Sequence, residues 1–193
     1  MPGRQAKVLN AAALAALLKQ AQRTSTPERD RVMILLSSQA GLRACEIARL
    51  EWCMVTSGAG RVSALIELPD RIAKYGTGRK IPLHPHLRAA LLSLALVSTP
   101  TGPVIKSARG GAFRPNSIVN WFIILTRSCG LDGCSSHSGR RTFITNAARK
   151  ANQAGASLRD VQMLAGHRSI ETTQGYIDGD TDAQRRLVRS LFR

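Results

Sequence analysis

The chain has 193 residues, 44% of them hydrophobic, which is enough to bury a substantial core and too many for a disordered chain. Its 28 Lys and Arg against 12 Asp and Glu leave a net charge of +16, and 22 of those cations are Arg. A guanidinium fork fits phosphate oxygens two at a time, so this bias favours contact with a polyanion over mere solubility. No apolar run approaches the roughly 18 residues of a membrane span, and the basic start at Met1–Asn10 leads into an amphipathic helix rather than a signal peptide. Cys45, Cys53, Cys129 and Cys134 lack CxxC spacing and paired histidines, which argues against zinc and for free thiols in a reducing cytosol.

Leu at helical spacing predicts a helix over Val8–Gln22 with Asn10 as N-cap. Ser25-Thr26-Pro27-Glu28 opens a second helix, which Gly41 ends. A short helix over Ala44–Glu51 follows. Val62–Leu68 and Arg79–Leu83 read as two strands of a small antiparallel sheet, joined through the Gly76-Thr77-Gly78 turn. His86–Val97 is helical, and Thr99–Pro115 is a loop with a short strand at Val104-Ile105. Asn116 caps a helix to about Ser128, and another runs from Ser138 to Ala151. Ser157 and Asp160 form a capping box for a helix that closes at Gly166, and Thr181 with Gln184 opens a last amphipathic helix bearing Leu187, Val188, Leu191 and Phe192. The expected fold class is α+β, mainly α-helical, with one small antiparallel sheet.

Four polar islands stand where a helical core does not require them. Arg43 follows the helix-ending Gly41, and Glu46 lies three residues on, in reach of its guanidinium. Lys74 sits at the hairpin tip. His137 and Arg140 share one side of a helix start, where free amides and the helix dipole suit a phosphate. His167 follows Gly166, and Tyr176 comes nine residues later. Each alone also reads as something ordinary: a surface ion pair, a solvated lysine, a capping cluster, a half-buried tyrosine.

The ordered set (Arg, hairpin Lys, His-x-x-Arg, Gly-His, then Tyr) resembles the catalytic domain of the tyrosine recombinase, or phage integrase, family. Glu46-Ile47 with Leu50 and Trp52, Ile81-Pro82-Leu83 and Arg141-Thr142-Phe143 agree with it. The resemblance implies the tyrosine recombinase catalytic-domain fold over residues 1–180. It also implies a C-terminal helix, 181–193, that is either packed on its own core or exchanged between subunits. An N-terminal core-binding domain is not expected, as in the short recombinases that invert fimbrial promoters, and DNA affinity is expected to be modest.

The resemblance further implies that Tyr176 attacks a DNA phosphodiester to give a 3′-phosphotyrosyl link. Arg43 and Arg140 clamp the non-bridging oxygens, Lys74 protonates the leaving 5′-oxygen, His137 accepts or orients the tyrosine proton, His167 donates to the phosphate, and Glu46 buttresses Arg43. No metal, ATP or other cofactor is expected. The implied activity is site-specific recombination of double-stranded DNA by a homotetramer on paired sites, with accessory DNA-bending proteins, in the bacterial cytosol or nucleoid. Strand relaxation in the manner of a type IB topoisomerase, or non-catalytic DNA binding by a recombinase descendant, are the alternatives. Gly139 and Ala165 stand where the family commonly has leucine, and the lost volume is expected to loosen the site.

Overall fold

The computed structural model describes residues 6–177 and, beyond them, positions 185, 188 and 189. Apart from those three positions, the expected helix over 181–193 lies outside the described residues.

Helix α1 (Ala11–Ala21) begins where the Asn10 side-chain oxygen accepts from the Ala13 amide at 2.8 Å, and it buries Leu17 and Ala21. Helix α2 (Pro27–Gln39) starts with proline, whose missing N–H costs nothing in a first turn. Val32, Met33, Ile34, Leu35 and Leu36 are buried in unbroken succession, so α2 is apolar all round and runs through the centre. It packs against α1, α3 (Ala44–Arg49), α4 (Pro85–Val97) and α6 (Ser138–Lys150).

Strands β1 (Leu65–Leu68) and β2 (Arg79–Pro82) pair antiparallel, with Leu65 opposite Pro82 and Leu68 opposite Arg79. The connection between them carries a 3-10 turn over Lys74–Gly76. Helix α5 (Pro115–Ser128) packs on α3 and α1; α7 (Leu158–Ala165) and the short α8 (Ile170–Gln174) follow within the continuous described residues. The main core runs from α1 to α5 and under the hairpin. A second, small cluster of Ile144, Ala151, Val161 and Ala165 takes in Phe143 and Tyr176.

Two glycines set how the two clusters meet. Gly41 has φ +63°, the left-handed region, and lies under the Phe143 ring, which an added methyl would overlap. Gly139 lets α6 approach α2 so closely that a Cβ would overlap the buried Ser37 hydroxyl. The expected loosening behind the site is therefore not found at Gly139: α2 fills the space a leucine would need.

Three local expectations are corrected. Val104 and Ile105 are buried but form no strand; the Val104 amide donates to Leu50 O at 2.9 Å between isolated bridges. Pro103 lacks the N–H that a ladder would need. The N-cap of α5 is Arg114 rather than Asn116, because Pro115 occupies the first helical position. Helix α8, only five residues with two β-branched threonines, has no counterpart in the predicted elements.

Candidate active site

Arg43 is the N-cap of α3, held there by its own backbone N–H donating to Glu46 Oε2 at 2.9 Å. Its Nη1 donates to Glu46 Oε1 at 2.9 Å and its Nη2 to Gly166 O at 3.3 Å, so α3 and the end of α7 fix one guanidinium. Glu46 is fully buried. It also accepts from Arg79 Nη1 and Nη2 at 3.2 and 3.0 Å and from the Lys74 amide at 3.4 Å. Burial alone would raise its pKa, but the hydrogen bonds and charge of Arg79, together with Arg43, overcome that and lower it to about 2.

Arg140 reaches inward from the first turn of α6 and is buried. Nη1 donates to Gly41 O, Nη2 to Ala165 O at 2.7 Å, and Nη2 lies 3.0 Å from His167 Nε2. Burial, then repulsion from Arg43, lowers its pKa to about 10, so it remains cationic at neutral pH. Arg43 and Arg79 thus share the one carboxylate, Arg140 beside them is held by carbonyls and the His167 ring, and the three guanidiniums leave two positive charges over.

A guanidinium only donates, so His167 Nε2 must accept from Arg140. The ring proton is then on Nδ1, 2.9 Å from Thr173 Oγ1 of α8, which accepts it. The Gln162 side chain donates to His167 O at 3.0 Å and fixes the backbone there. Burial, with Arg140, Arg43 and Arg79 nearby, lowers the His167 pKa to about 4, so the ring is neutral at physiological pH.

Tyr176 follows α8 and stacks on His167, with centroids 5.5 Å apart and planes inclined by 25°. The Arg141 guanidinium carbon lies 5.5 Å over the same tyrosine ring. His137, Arg140, Arg141, Thr172 and Tyr176 line one cavity of 340 Å³. His137, the exposed N-cap of α6, has its pKa lowered by partial burial and by Arg140, Lys74 and Arg43, which places Lys74 within electrostatic reach. Lys74 itself is exposed, its ammonium 4.8 Å from the Tyr75 ring centroid.

Six of the seven residues singled out in the sequence (Arg43, Glu46, His137, Arg140, His167 and Tyr176) converge on one cationic cleft, and Lys74 stands at its edge. Arg79 was not singled out. It is almost fully buried, its Nε donates to Leu164 O at 2.8 Å, and it holds Glu46 from the opposite element. The available signal is the period of two in β2, where Arg79 shares the inward face with Ile81 while Lys80 and Pro82 face out. Among the described residues no three of His, Cys, Asp and Glu cluster so as to hold a metal ion, and no helix is long and apolar enough to cross a membrane.

The sequence pattern described as "Phage integrase family" matches residues 7–182. Tyrosine recombinase XerC of Rhodospirillum centenum is 32% identical over 160 residues, 80% of this chain and 43% of that protein. Tyrosine recombinase XerD of Ralstonia nicotianae is 32% identical over 168 residues, 84% of this chain and 51% of its own length. The chain spans about half the length of the curated relatives it matches. In fold it is similar to XerA recombinase, with a TM-score of 0.75 at 20% identity over 100% of this chain and 66% of that one. It is likewise similar to XerH site-specific recombinase in a post-cleavage complex with palindromic difH substrate, with a TM-score of 0.72 at 19% identity over 96% of this chain and 53% of that one.

Proposed function

The chain belongs to the phage integrase family, and on that premise we propose that it is a site-specific recombinase that cuts and rejoins double-stranded DNA through a 3′-phosphotyrosyl link, without metal or ATP. The observation that carries the proposal is the cleft's charge: three guanidiniums against one carboxylate, with the Tyr176 ring at its wall. Such a cluster suits an anion, and the excess of Arg over Lys elsewhere suits a phosphate backbone.

In this reading a phosphodiester enters between Arg43 and Arg140, which hold its non-bridging oxygens as charge builds on the pentavalent transition state. The Tyr176 oxygen attacks phosphorus, the bond to the 5′-oxygen breaks, and Lys74 supplies that oxygen's proton. The phenol must give up its proton as it attacks, and His137 on the cavity wall takes or directs that proton. His167 meets the phosphate through Nε2, which accepts from Arg140 in this structure. Donation from that atom requires the ring proton on Nε2, which the other neutral tautomer supplies once the Thr173 hydroxyl donates to Nδ1. Glu46 and Arg79 keep Arg43 in its rotamer. Rejoining reverses these steps with a new 5′-hydroxyl, and exchange between two duplexes takes place in a tetramer on paired sites, assisted by DNA-bending proteins.

A plasmid carrying two copies of the DNA captured by the protein, incubated in EDTA, tests this reading. Wild type is expected to give inversion or excision products, and Tyr176→Phe none. Relaxed circles alone would assign strand relaxation instead, and products from Tyr176→Phe would remove the nucleophile.

A further inference from the structure

The loop that carries Lys74 holds a feature that the catalytic roles above do not use. Tyr75 has φ +68°, and it is the one non-glycine residue with positive φ among those described. A side chain in that region costs free energy that glycine avoids, and glycine does occupy the next position, Gly76, at φ +63°. The Tyr75 ring is 59% exposed, so core packing does not hold it there.

Two cations and one carbonyl contact do. The Lys74 ammonium lies 4.8 Å from the ring centroid and the Arg168 guanidinium carbon 5.4 Å from it. Arg168 Nη2 donates to Tyr75 O at 2.7 Å, and the one Thr77 hydroxyl proton is shared between Lys74 O at 3.0 Å and Gly166 O at 3.2 Å. The hairpin loop is therefore tied at two points to the Gly166–Arg168 segment, next to His167. The Lys74 backbone is anchored on Glu46.

Resting on the recombinase reading, we propose that Tyr75 is a positioning residue for Lys74: its ring holds the ammonium at the edge of the cationic cleft, and its carbonyl, through Arg168, locks the loop to the His167 segment. A free lysine spreads over many rotamers, and its neighbours Arg43 and Arg140 repel it from the cleft. The electron-rich ring face offsets that repulsion and narrows the rotamers to those near the leaving oxygen. The step served is proton transfer from Lys74 Nζ to the 5′-oxygen as its bond to phosphorus breaks. Lys74 ends neutral and the 5′-hydroxyl carries the proton.

The test times covalent adduct formation on the duplex captured by wild type, made once with oxygen and once with sulfur as the 5′ leaving atom. A thiolate leaves without a proton, so the sulfur duplex is indifferent to the general acid. Tyr75→Asn tolerates positive φ and removes the ring. It is expected to slow adduct formation on the oxygen duplex about two- to fivefold and to leave the sulfur duplex unchanged, with Tyr75→Phe restoring the oxygen rate. Equal loss on both duplexes would mark a merely structural role, and no loss on either would show that the ring does nothing for Lys74; both overturn the proposal. If wild type forms no adduct on either duplex, the recombinase reading falls and this proposal falls with it.

Discussion

Arg43 and Arg79 bind a single carboxylate, Glu46, with Arg140 in electrostatic reach, and the titration of the neighbouring side chains follows from that excess of positive charge. His167 shows it most clearly. Its pKa is near 6.5 in an unfolded chain, but about 4 in the fold, because partial burial and then Arg140, Arg43 and Arg79 disfavour the imidazolium. Between those two values the unfolded state binds the extra proton, so the contribution of His167 to stability is complete above about pH 6.5 and is lost as pH falls toward 4. His137, also lowered, adds in the same direction. Solvent screening of the half-buried ring holds the His167 share to about 1 kcal/mol at pH 5. Urea unfolding at pH 7 and pH 5 should show the midpoint dropping for wild type and dropping less for His167→Gln; identical drops would contradict the assignment. Glu46 has the opposite ionisation but adds to the same trend, its contribution lost only below about pH 4.5 as pH falls toward 2.

At the scale of elements, the junction of α2 with α6 sets the position of Arg140. Gly139 precedes Arg140 and lies directly on Ser37, while Arg140 itself grips Gly41 O just past the end of α2. Any side chain at position 139 pushes α6 outward and moves the guanidinium with it. Gly139→Ala is therefore expected to cost about 2 kcal/mol, or about 6 °C in Tm, although alanine is the better helix former. An unchanged or raised Tm would show that α2 can yield. The start and stop signals of the long elements were legible in the sequence because they are local: Asn10, Pro27, Gly41 and Gly166 act through their own backbone or the next turn. Helix α8 was not legible, because five residues make too short a period to detect, and it forms only where Thr173 closes on His167. Arg79 shows a different limit. Its partner Glu46 is thirty-three residues away, and a buried ion pair across that distance leaves no trace beyond one cation on an inward-facing strand position.

For the whole molecule, the main core built on α2 carries α3, the hairpin and the start of α6 as one rigid frame, and the smaller cluster under α7 holds His167 and Tyr176 against it. The cleft is the seam between the two, which is why its residues come from four separated stretches of chain. The order of residue types along the sequence identified that seam, whereas charge and composition alone pointed only to a polyanion. What the sequence left open was how the seam is held: the Arg79–Glu46 bridge, the Tyr75–Arg168 tie and the Thr173 contact are all matters of tertiary placement. The proposed reaction turns on one bond, between the Tyr176 oxygen and a DNA phosphorus. Digesting the detergent-stable protein–DNA complex with trypsin and nuclease, then sequencing the linked peptide by mass spectrometry, tests it most directly. A 3′-phosphate carried on Tyr176 and a free 5′-hydroxyl on the other strand end are expected; a link to any other residue, or to a 5′-phosphate, would rule out Tyr176 as the nucleophile in this reaction.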